Sequence, residues 1–166
     1  GIRQNGGLRR VAELERQLAR TRPEKLRLKR MVSLAEALEQ IHVGKARGRA
    51  VEAIALASAR GDSAALGRAL LVAGMSSIRA GSADSGLALL RRADTIAVAI
   101  RDTALLCANS YRLARCLSNL GIYAKAKEYL RRGQRLVTIV NDAGERCRLL
   151  LQELHIAANT GSDPAL

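Results

Sequence analysis

Three aspartates stand 40 residues apart in this chain, Asp62, Asp102 and Asp142, and each closes a related tetrapeptide. The tetrapeptides are Ala59-Arg60-Gly61-Asp62, Ala99-Ile100-Arg101-Asp102 and Ile139-Val140-Asn141-Asp142. A fixed period of this size is the mark of an array of helical repeats, in which each unit buries its apolar face only against its neighbours. The period continues at other positions. Gly81 is in register with Gly121, Leu90 with Leu130, and Cys107 with Cys147. Small residues align as Ala46, Gly86 and Ala126 and again as Ala53, Ala93 and Gly133. Two small positions seven apart lie on one face of a helix, where they admit another helix at close range.

The rest of the composition agrees with helix. The 166 residues are 48% apolar, drawn almost wholly from Leu, Ala, Val and Ile, with no Phe or Trp and with Tyr only at 111, 123 and 129. Leu and Ala are strong helix formers, and Pro occurs only at 23 and 164, near the ends. The expected architecture is all-α, with helix pairs at 24–40 and 44–59, 63–80 and 84–100, and 103–120 and 124–140, and a capping helix at 143–159. Each repeated Asp falls between an apolar helix and the next one, the position of an N-cap, where a carboxylate accepts from free backbone N–H groups. Ahead of the array, Leu8, Val11, Leu14 and Leu18 form an apolar stripe on a charged helix ending near Pro23. The stripe either docks on the first repeat or forms a short seam between subunits. The domain division is residues 1–22 as linker and helix, 23–160 as repeats and cap, and 161–166 as a linker. The Gly-rich start and the Gly-Ser-Asp-Pro end suggest excision from a longer protein.

The stretch Leu113-Ala114-Arg115-Cys116-Leu117-Ser118-Asn119-Leu120-Gly121-Ile122-Tyr123-Ala124-Lys125-Ala126 resembles a tetratricopeptide repeat. Leu113, Ala114 and Leu117 match the large-small pair and further large residue of that family's first helix. Gly121, Tyr123 and Ala126 match its turn and the small residue of its second helix. The middle unit keeps the pattern loosely through Ala73-Gly74, Gly81 and Gly86, whereas the first has Ile41 at the turn glycine. The resemblance implies a superhelix of helix pairs over roughly residues 24–159. The 40-residue variant is similar to sensory repeats of bacterial signalling proteins, such as those ahead of diguanylate cyclase domains or in large transcription activators. It implies a regulatory, partner-binding segment without output activity of its own.

The formal net charge of +13 is carried mostly by arginine, which either solvates a face or attracts an acidic partner. Nucleic acid is the weaker reading, because the basic residues are dispersed and stacking aromatics are scarce. Cys107, Cys116 and Cys147 match no ligand spacing and read as reduced core residues, which favours the cytoplasm; a removed signal peptide would instead mean the periplasm. No apolar run is long enough to span a bilayer. His155 has no acidic or Cys neighbour at metal-ligand spacing and His42 only Glu39, so neither builds a convincing metal site and both read as solvated or helix-end residues. No phosphate-binding loop is present. No catalytic, cofactor or metal site is expected.

What the resemblance implies about binding is a groove lined by the first helix of each pair. The family's offsets place Met31, Val32, Ala35 and Glu39 there in the first unit, with Arg68, Leu71, Val72, Met75 and Arg79 in the second. They add Ala108, Tyr111, Arg112, Arg115 and Asn119 in the third, and Arg148, Leu151, Gln152, His155 and Asn159 in the cap. Such a groove is apolar at one end and basic at the other, suited to an extended acidic peptide whose apolar residues face Met31 and Met75. Two alternatives stand beside it. One is an oligomerisation segment that dimerises an attached output domain through Leu8, Val11, Leu14 and Leu18. The other is nonspecific nucleic-acid binding through arginine.

Overall fold

The computed structural model describes residues 2–20 and 24–161, apart from the side chains of residues 2–5 and 147. Eight helices follow one another: α1 (Ile2–Arg20), α2 (Glu24–Glu39), α3 (Val43–Arg60), α4 (Ser63–Arg79), α5 (Ala83–Ala99), α6 (Thr103–Asn119), α7 (Tyr123–Val140) and α8 (Ala143–Thr160). No strand occurs among the described residues. Helix ends fall within a few residues of those expected. Of the linkers, residues 21–22 and 162–166 lie outside the described residues.

The joints explain why. Backbone φ is positive at Gly61, Gly81, Arg101, Gly121, Asn141 and Gly161, one residue in every 20. The backbone therefore repeats at half the period of the aspartates. At each of the first four joints the next residue donates its N–H back across the turn. Asp62 donates to Ala57 O, Ser82 to Ser77 O, Asp102 to Ala97 O and Ile122 to Leu117 O, at 2.8–3.0 Å. This closes the helix end through a left-handed residue, as glycine permits at least cost. The same joint then starts the next helix. Asp62, Asp102 and Asp142 each accept through Oδ1 from the N–H three residues on, at 3.0, 2.9 and 3.0 Å. The aspartates are N-caps, as their spacing predicts. His42 caps α3 in the same way, its Nδ1 accepting from Lys45 N at 3.3 Å. Ile41, β-branched and unsuited to the left-handed region, has a shorter turn in which His42 N donates to Leu38 O.

The chain forms two compact units, Gly1–Ile96 and Ala97–Leu166. In the first, α2 packs on α1, α3 and α4, and α3 on α4. In the second, α6 packs on α7 and α8, and α7 on α8. Consecutive and next-but-one contacts of this kind are what stacked antiparallel helix pairs produce. Each second helix buries a row at i, i+4, i+7 and i+11. Ala46, Ala50, Ala53 and Ala57 form it in α3, Gly86, Leu90, Ala93 and Ala97 in α5, and Ala126, Leu130, Gly133 and Val137 in α7. The row lets backbones meet. A Cβ on Gly86 would lie 2.6 Å from Gly74 O and 2.4 Å from Ile78 Cγ1, and one on Gly133 would lie 2.6 Å from Leu149 Cδ2.

The α1 stripe docks. Val11, Leu14 and Leu18 are buried in one cluster with Leu28, Val32 and Leu34, and Arg30 Nη1 donates to Gln17 O at 3.0 Å. Leu8 alone of the four stays exposed, at 53%.

Two expectations follow from glycine placement. Gly48, mid-helix in α3, has nothing within 4 Å of a Cβ, so Gly48→Ala should raise stability by about 1 kcal/mol through helix propensity. Gly86→Ala gains the same propensity but must move a carbonyl, and should lose a net 1–2 kcal/mol, about the cost of overpacking less that gain. Urea unfolding midpoints of the two variants should therefore move in opposite directions. Arg101, with φ 55°, occupies the left-handed position at which Gly61, Gly81, Gly121 and Gly161 stand in four of the other five such joints. Arg101→Gly should raise stability by about 1 kcal/mol, the cost a Cβ incurs there, read in the same titration.

Candidate functional site

In the second unit, α6 and α8 enclose a cleft of about 340 Å³ lined by Tyr111, Arg115, Asn119, Arg148, Leu151, Gln152 and His155. All seven are positions at which the resemblance places the groove. They converge because the spacing 111, 115, 119 on α6 and 148, 151, 152, 155 on α8 keeps each set on one helical face. Arg115 and Tyr111 are half-buried, and Arg115 Nη1 donates to the Tyr111 hydroxyl at 3.4 Å. Arg148, Leu151, His155 and Asn119 are exposed. Gln152 is 6% exposed and its Nε2 has no hydrogen-bond partner. A buried amide donor without an acceptor costs free energy that a ligand carbonyl or carboxylate would recover. Asn159 lies one turn beyond His155, its Nδ2 donating to His155 O at 2.8 Å.

The charges around the cleft are held by Glu145, which is 7% exposed in the first turn of α8. Its Oε1 lies 2.8 Å from Arg148 Nη1 and 4.0 Å from Arg112 Nη1. Glu145 follows its N-cap Asp142 by three residues, where a carboxylate also meets the positive helix end. Its pairing with Arg148 is thus anchored on a buried carboxylate. Arg112 is drawn out of the cleft lining. Its side chain is 18% exposed, donates to Ala108 O at 3.0 Å and faces Glu145. Arg148, 51% exposed, remains accessible from the cleft side.

The positions expected to line the groove in the first unit are differently placed. Met31 and Met75 are 5% and 4% exposed, and Val32, Ala35, Leu71 and Val72 are buried as well. They form core, although Val32 and Arg68 also border a cleft of about 430 Å³ beside α2 and α4 with Leu26 and Lys29. Met31 and Leu71 are in register with Tyr111, and Ala35 and Met75 with Arg115, whose longer polar side chains reach the cleft of the second unit. Arg68 is held by Glu36 in a forked pair, Nε to Oε1 at 2.8 Å and Nη2 to Oε2 at 2.6 Å. Arg79 donates to Glu39 O and, at 3.0 Å, to Gln40 Oε1, closing the C-terminal end of α2. Both arginines serve contacts between α2 and α4.

Neither Glu145 nor Gln152 stood out in the sequence as buried. The local signal for Glu145 was the Asp142-x-x-Glu145 spacing, an acidic residue three past a cap; for Gln152 no signal exists, since its burial depends on α6. Among the described residues no group of three His, Cys, Asp or Glu is placed to hold a metal, and no helix is long and apolar enough to cross a membrane. Cys107 and Cys116 are buried, Cys107 Sγ lying 3.8 Å from Gly133 O. The side chain of Cys147 lies outside the described residues.

The geometry defines an all-α protein of the tetratricopeptide-like helical-repeat class. Among solved structures it is similar to a Rap protein crystallised in complex with competence and sporulation factor, with a TM-score of 0.85 at 15% sequence identity. The match covers 96% of this chain and 46% of that one, so this chain spans less than half the length of the Rap protein. No family model and no curated protein matches the sequence.

Burial pushes the Cys107 thiol up from 9.0 to about 11, with the Glu145 and Asp142 carboxylates acting in the same direction. The unfolded chain releases this proton near pH 9 while the folded one holds it to about 11. The contribution to stability is therefore complete below pH 9 and is lost as pH rises from 9 towards 11. Urea midpoints should fall across that window, and fall less in Cys107→Ala.

Proposed function

We propose that this chain is a protein- or peptide-binding regulatory module in which the α6/α8 cleft takes an extended acidic peptide. The observation that carries this reading is that Arg115, Arg148 and Gln152, whose buried Nε2 has no partner, line one cleft. Guanidinium groups grip carboxylates through charge-assisted forked hydrogen bonds, and side-chain amides hold a peptide backbone. Arg148 is available for this because its side chain stays 51% exposed while it pairs with Glu145. Tyr111 and Leu151 supply apolar contact beside the charges. The similar Rap protein, solved with a bound factor, supports binding as the use of this fold. The setting we propose is a sensory segment of a bacterial signalling protein, in which occupancy of the cleft is passed to an attached output domain such as a diguanylate cyclase.

Dimerisation through the α1 stripe is disfavoured, since Val11, Leu14 and Leu18 would have to leave the core in which they are buried.

A fluorescein-labelled, Glu-rich decapeptide tests the proposal by anisotropy titration. The variant Arg115→Glu/Arg148→Glu should weaken binding at least 100-fold. Gln152→Leu should weaken it about tenfold, the loss of one hydrogen bond to a charged acceptor. Unchanged affinity in the double variant, or equal binding of an unrelated oligonucleotide with the same salt dependence, overturns the acidic-peptide reading.

A further inference from the structure

We propose that the outer face of α8 is a docking surface for a partner helix, one that lies antiparallel to α8 and presents a row of alanine or glycine at i, i+4, i+7 and i+11. The inference does not rest on the cleft, which lies on an adjacent face of the same helix and shares only Leu151 with this one.

Register with the earlier helices carries it. In each preceding pair the first helix turns one face to the second. On α2 the face includes Leu34 and Leu38, which are 0% and 2% exposed in one core with the α3 alanines. On α4 it includes Gly74 and Ile78, which meet Leu90 and Gly86 of α5. On α6 it includes Ser110, whose Cβ lies against Gly133 of α7 and whose Oγ accepts from Arg132 Nε at 2.8 Å. The residues of α8 at these offsets are Leu150, Leu154 and Ala158. Leu150 and Leu154 are 53% and 55% exposed, and Leu151 at the edge of the face is 62% exposed. At the position of Leu154 the three earlier helices carry Leu34, Gly74 and Ala114, all buried.

An apolar patch of adjacent leucines on a helix otherwise edged by charge marks a contact surface. Its shape selects the occupant. Facing helices fill their interface when large residues meet small ones. In the first pair Leu34 and Leu38 share a core with Ala46, Ala50, Ala53 and Ala57. A face with leucine at both 150 and 154 calls for the same all-small row. An antiparallel occupant also ends beside the first turn of α8, where the exposed Arg146 meets the negative end of its dipole. A second copy of this chain offers no such row, since those of α3, α5 and α7 are buried.

The probe is a synthetic peptide of residues 43–61, held helical by a lactam between Glu52 and a lysine introduced by Gly48→Lys, both on the side away from the alanine row. Titrated into the 15N-labelled chain, it should bind saturably and shift amide signals along α8. Leu154→Glu and Leu150→Glu should each weaken binding at least tenfold with circular dichroism unchanged, Arg115→Glu should leave it within twofold, and Ala50→Leu/Ala53→Leu in the peptide should abolish it. No saturable binding, or binding indifferent to both leucine variants, overturns the proposal. So does a dimer in light scattering that Leu154→Glu dissolves, which would make a second copy the occupant.

Discussion

Close approach of helix backbones along rows of small side chains is the constraint on which the rest of this structure depends. Where Gly86 crosses Gly74, the space for a Cβ is taken by a carbonyl oxygen, and at Gly133 a leucine of α8 fills it. With almost no aromatic side chains to fill wide gaps, the helices have to come together, and Ala or Gly at i and i+7 of each row is how they do so. Dispersion contacts are gained along the full length of each pair rather than at a few bulky anchors.

That packing requires helices of one length turning at one rhythm, and the joints supply it. Six joints end a helix through a left-handed residue, and α3, α4, α6 and α8 each begin through a capping side chain. Backbone groups that would otherwise be orphaned at sixteen or so residues' spacing are satisfied locally. The joint tolerates variation in chemistry: His42 replaces Asp as a cap, and Arg101 and Asn141 replace Gly at the turn. What is conserved through the array is geometry, a change of direction every 20 residues.

The cleft in the second unit grows from the same frame. Its two helices are presented by the repeat, but its character comes from side chains that are longer and more polar than those at equivalent places in the first unit. Met31 and Met75 turn inward; Tyr111 and Arg115 line an opening. Glu145 then sorts the arginines, drawing Arg112 into a partly buried contact while Arg148 keeps half its surface. A buried carboxylate placed between two guanidiniums organises the approach to the cleft and leaves Gln152 as its unpaired donor.

Much of this was legible in the chain itself. The three N-caps are side-chain to backbone contacts across three residues, so the positions of Asp62, Asp102 and Asp142 determine them without reference to anything distant. Helix ends follow from the same aspartates and from Gly61, Gly81 and Gly121, and the buried rows follow from small residues seven apart. The residues of α6 and α8 that line the cleft are among those at which the resemblance to tetratricopeptide repeats places a groove. Tertiary structure decided the rest, because burial and pairing depend on residues far apart in sequence. Arg112 is engaged by a carboxylate 33 residues away, Arg68 by one 32 residues away, and Gln152 is covered by a helix it cannot sense locally. Periodicity assigns a residue to a face; only the neighbour packed on that face determines whether it becomes core, as at Met75, or lining, as at Arg115.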